Sequence, residues 1–187
     1  KSAETDAVLM QVRQALIGFA ASPPSNGTNT ERPGELPCPD MNNDGFGDGS
    51  CVAGAIGRVP WKTLGIPEPL DGNGATLWYA IAGPFRNKNM SAAPINSDTL
   101  GNLSVYLGSS ATVLTSQAVA VLLAPGAAVG TQDRGTSIAA CSTTGTSIAL
   151  NPITHAQVPF PPCGSDQTTA VNFAVAHLTD RVMVVST

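Results

Sequence analysis

The sequence predicts an α+β fold: an N-terminal amphipathic helix packed on an antiparallel β-sheet with long disulfide-clamped loops. Three observations predict it. Apolar residues recur at helical spacing over residues 3–20. Nineteen glycines and 15 prolines make up nearly a fifth of the 187 residues, which favours a turn-rich β fold over a helical bundle. Four cysteines fall into two local pairs, Cys38 with Cys51 and Cys141 with Cys163.

In the first element Val8, Leu9, Val12, Ala15, Leu16 and Phe19 share one helical face. Gly18 weakens its last turn and Ser22-Pro23-Pro24 ends it, because proline cannot continue a helix. Residues 22–35 are polar and read as a loop. Residues 36–74 hold too many prolines and glycines for long regular elements, so a clamped loop is expected, with one helical turn near Trp61–Leu64. Strands are expected at Ala75–Ala82, at Leu103–Leu107 and at Ser116–Ala124, the last an apolar run typical of a buried central strand. Ser137–Cys141 and Thr146–Leu150 flank Thr143-Thr144-Gly145 as a hairpin, and Arg181–Val185 is the final strand. Residues 170–178 fit either a strand or a helix. The sheet is expected to cover the apolar stripe of the helix.

Length and charge bound the function. A chain of 187 residues suits one domain with a full core. The net charge is −4, and no two of the nine basic residues are adjacent, so no stripe exists to neutralise nucleic-acid phosphates or an acidic membrane surface. The cysteine spacings do not suit a zinc site, which needs close ligand pairs. Four cysteines allow three connectivities; sequential pairing is favoured because the others bring distant loops together. Disulfides imply export. No signal peptide or membrane-spanning run is present and the chain opens at Lys1 inside a helix, so a hydrophobic segment ahead of Lys1 is expected to have directed it.

Five sequence blocks resemble the type IV pilin-like and pseudopilin-like proteins. They are Gln14–Ala20 with Leu36-Pro37-Cys38-Pro39-Asp40; Gly57–Gly65; Asp71 leading to Leu77-Trp78-Tyr79-Ala80; Val119–Gly126; and Asp180–Val185. They occur in the family's order across nearly the whole chain. The resemblance implies one pilin-like domain over 1–187. Residues 1–21 would be the C-terminal half of the N-terminal helix, 22–74 a loop region with the first disulfide, and 75–187 a sheet region with the second. It also implies a structural subunit, not an enzyme. The precursor would be anchored in the inner membrane, facing the periplasm, by the segment ahead of Lys1. The subunit would then join other pilin or pseudopilin subunits through its helix, in a filament or at the cell surface. The alternative is an adhesive binding module at a filament tip that recognises a surface through residues 126–170.

One stretch has ligand-like spacing. Asp40, Asn42 and Asp44 alternate, Gly45 permits a sharp turn, Phe46 can offer its carbonyl, and Asp48 follows two residues on. These match the first nine positions of a calcium loop, but the twelfth is Cys51 where a bidentate Glu belongs. The competing reading is an Asx-turn loop whose side chains bond their own backbone. Trp61, Trp78 and Tyr79 read as core more readily than as a ligand platform. His155 and His177 have no metal-spaced partner. No Gly-x-Ser-x-Gly, His-Glu-x-x-His or phosphate-loop motif occurs. Mass spectrometry of a non-reduced digest is expected to find the 38–51 and 141–163 bridges and no free thiol; a peptide linking Cys51 to Cys141 would overturn the pairing.

Overall fold

The computed structural model describes residues 1–21, 32–49, 51, 53, 55–87, 94–106, 113–126, 148–150, 157–159, 172–174 and 181–185. Helix α1 spans Ser2–Ala21 and buries Thr5, Leu9, Val12, Leu16 and Phe19. These positions lie on one face at the 3.6-residue period. Val8 and Ala15 sit at its margins, half-buried. The Gly34 N–H donates to the Ala20 carbonyl at 2.9 Å, which satisfies one of the acceptors that every helix end leaves open.

The helix rests on two neighbouring strands of a four-stranded antiparallel sheet. In chain order that sheet holds β1 (Ile56–Arg58), β2 (Trp78–Ile81), β5 (Ala120–Ala124) and β9 (Arg181–Val185), and their spatial order is β1-β2-β5-β9. The helix packs against β5 and β9. All residues of β2 and β5 are buried, as the continuous apolar run Ala120–Ala124 anticipates for a strand with no solvent face. Tyr79, fully buried in β2, donates its hydroxyl to the Pro37 carbonyl at 3.1 Å. Burial pushes its phenol pKa well up, so the group stays a neutral donor.

A second sheet has the order β4-β3-β8, with β3 at Leu103–Tyr106, β4 at Val113–Ala118 and β8 at Asn172–Ala174. Strands β6 (Ile148–Leu150) and β7 (Gln157–Pro159) form an antiparallel pair. Three expectations change here. The run Ser116–Ala124 is not one strand: it divides at Val119, with β4 in one sheet and β5 in the other. Leu103 faces Ala118, Val105 faces Thr115 and Tyr106 faces Val113, so β4 carries an extra residue at each step, and such bulges bend a strand. The strands are not all antiparallel, because β8 runs parallel to β3. The 65 residues between them are ample for the crossover that parallel pairing requires. The stretch 36–74 also holds the short strand β1, which no periodicity marked. Of the expected hairpin, the half at 137–141 lies outside the described residues, and the described partner of β6 is β7.

The first disulfide is present, joining Cys38 and Cys51 with Cα atoms 5.7 Å apart. Closing that loop contributes roughly 3 kcal/mol by restricting the unfolded chain. Cys141 and Cys163 lie outside the described residues.

Asp71 ties the helix start to the end of β5. Its buried carboxylate accepts from Asn73 N at 2.7 Å and Ala75 N at 3.0 Å through Oδ1, and from Gly126 N at 2.8 Å through Oδ2. In the same turn Gly72 N donates to Thr5 Oγ1 of α1 at 2.9 Å. The Gly126 bond is buried and the other two are partly so, and leaving such N–H groups without an acceptor is costly. Asp71→Ala is therefore expected to lower the urea-unfolding free energy by about 3 kcal/mol; an unchanged midpoint would show that the turn holds without its carboxylate.

Candidate functional site

The loop from Asp40 to Asp48 is built around one buried carboxylate. Asp40 is 1% exposed. Its backbone pairs with Arg58 on the outer edge of β1, Asp40 N to Arg58 O at 3.0 Å and Arg58 N to Asp40 O at 2.9 Å. The sheet thus fixes the point from which the loop departs. Oδ1 of Asp40 accepts from Asn42 N at 3.2 Å, Asn43 N at 2.6 Å and Asp44 N at 3.3 Å. Oδ2 accepts from Gly45 N at 2.7 Å. Four successive amides folded over one side chain require a tight turn, and Asn43 and Gly45 take left-handed φ values of 63° and 88° to make it. At Gly45 a Cβ would meet the Trp61 ring at 2.8 Å, so both its backbone and its packing call for glycine.

The other candidate ligands face the same loop. Asn42 Oδ1 accepts from Asp44 N at 3.1 Å, and Asn42 Nδ2 donates to Asp44 Oδ2 at 3.1 Å. Asp44 Oδ1 accepts from Phe46 N, and Asp48 Oδ2 from Met41 N, at 2.7 and 2.8 Å. The five residues expected to share a site, Asp40, Asn42, Asp44, Phe46 and Asp48, therefore do lie together on one closed loop. Their contacts are those of an Asx-turn network, with carboxylates accepting from amides. Among the described residues no group of three or more His, Cys, Asp or Glu side chains gathers where it could hold a metal ion. The twelfth position of the calcium pattern, Cys51, is committed to its bridge.

Three residues outside the Asp/Asn pattern complete the site. Arg58 Nη1 donates to Asn43 Oδ1 at 2.6 Å, and its guanidinium lies 5.3 Å from the centre of the Trp78 ring. Burial lowers the Arg58 pKa, while the charges of Asp40 and Glu68 oppose that shift; the group remains a cation. Lys62 Nζ donates to the Asp44 carbonyl and sits 4.9 Å from the Trp61 ring centre and 5.0 Å from that of Phe46. Thr63 Oγ1 accepts from Gly47 N at 2.8 Å. Arg58 ends β1, whereas Lys62 and Thr63 reach the loop from the expected single turn, closed by Leu64 N to Pro60 O at 3.0 Å. A lysine beside a tryptophan was the available signal for Lys62; the partners of Arg58 and Thr63 arise only from the fold.

Of the aromatic trio, Trp78 and Tyr79 are core, and Trp61 is half-buried against the loop. His155 and His177 lie outside the described residues. The arrangement is that of a hydrogen-bonded, disulfide-closed surface loop with an exposed Phe46 and a tethered lysine on its rim. Searches against family models, curated proteins and solved structures find no match to the chain.

The geometry ranks the loop side chains. Asp40→Ala removes the acceptor of four amides and is expected to cost about 3 kcal/mol. Asp44→Ala, at an exposed position, costs less. Urea titrations of the two variants measure the difference, and an equal loss at both positions would contradict the central place given to Asp40.

Proposed function

We propose that the chain is a structural subunit of a pilin-like or pseudopilin-like filament, assembled through α1. The observation that supports this reading is the two-sidedness of the helix. One face is buried in the domain, and the opposite line holds Ala3, Ala7, Met10, Ile17 and Ala21, all exposed and interrupted only by Gln14. Met10 and Ile17 are 48% and 42% exposed. Solvated helix faces normally carry charge, so an apolar second stripe suits packing against other helices. The ordered sequence blocks add the family resemblance. Among the described residues no helix is long and apolar enough to cross a membrane. On this reading the anchoring stretch precedes Lys1.

The test is a full-length Met10→Glu/Ile17→Glu variant. Both sites face away from the core, so circular dichroism and the melting temperature are expected to stay close to the parent. Incorporation into filaments, scored by shearing and immunoblotting, is expected to be lost. Normal incorporation of a folded variant would remove α1 as the assembly surface. The tip-adhesin alternative places its recognition in 126–170, most of which lies outside the described residues.

Calcium at the 40–48 loop belongs to the same proposal on narrower ground. Asn42 and Asp44 touch and Asp48 joins the same turn, so an ion held by these side chains with the Phe46 carbonyl and Asp40 would have to take the place of amide donors that now bond them. Lacking a twelfth-position carboxylate, the site falls in the weak class of roughly 10⁻⁴–10⁻³ M. A tenfold excess of calcium over its Kd would then add about 1.4 kcal/mol of stability. Melts in millimolar calcium are expected to lie above melts in chelator, with Asp44→Ala abolishing the gap. Coincident parent curves would strike calcium from the account and leave the filament reading untouched.

A further inference from the structure

We draw no further inference here: the strongest candidate, the uncharged outer edge of strand β4 in the three-stranded sheet with Val113 and Leu114 exposed, is interrupted by two bulged residues, and nothing in the structure shows what covers it.

Discussion

Strand β5 is bonded on both sides, to β2 and to β9, and helix α1 lies against it, so its five buried residues hold the molecule together. Burying Val121, Leu122 and Leu123 contributes about 1.5–3 kcal/mol for each side chain. The position constrains what surrounds it. The helix must present an apolar face to β5 and β9, and Leu9, Val12 and Leu16 do so. The end of β5 must be fixed, and Asp71 fixes it through Gly126 N while its turn also holds Thr5 of the helix. Strand β2 extends the sheet to β1, and β1 carries the backbone of Asp40. The surface loop is therefore an outgrowth of the same framework.

That loop is closed twice by independent means. The bridge between Cys38 and Cys51 restricts its ends, and the Asp40 carboxylate organises its interior amides. Trp61, Lys62 and Thr63 then dock it from outside the ring. Each constraint lowers the entropy that the others must overcome. The exposed Phe46 is thus held on an ordered base.

Much of this was legible in the sequence where the cause is local. Helical spacing marks the buried face of α1, although Thr5 takes a place on it that a purely apolar count passes over, because its hydroxyl is needed by Gly72. The alternation at 40–48 and the nearby cysteines mark the loop and its bridge. What was not legible depends on partners remote in sequence. The apolar run through Val119 looks continuous, yet the chain changes sheets there because β3 and β2 claim its two halves. The parallel placement of β8 beside β3 leaves no local trace. The role of Arg58 depends on Asn43 and Trp78, brought to it by the sheet edge.

The proposed function requires that α1 continue an anchoring helix and turn its outer face to neighbouring subunits. Intact-mass and N-terminal sequence analysis of the protein taken from its native membrane or filament fraction tests this most directly. The account predicts a mature chain that extends ahead of Lys1 by about 20 apolar residues, retained after a short leader is removed. A mature chain that instead begins after a cleaved secretory signal peptide, with no such stretch retained, would contradict it.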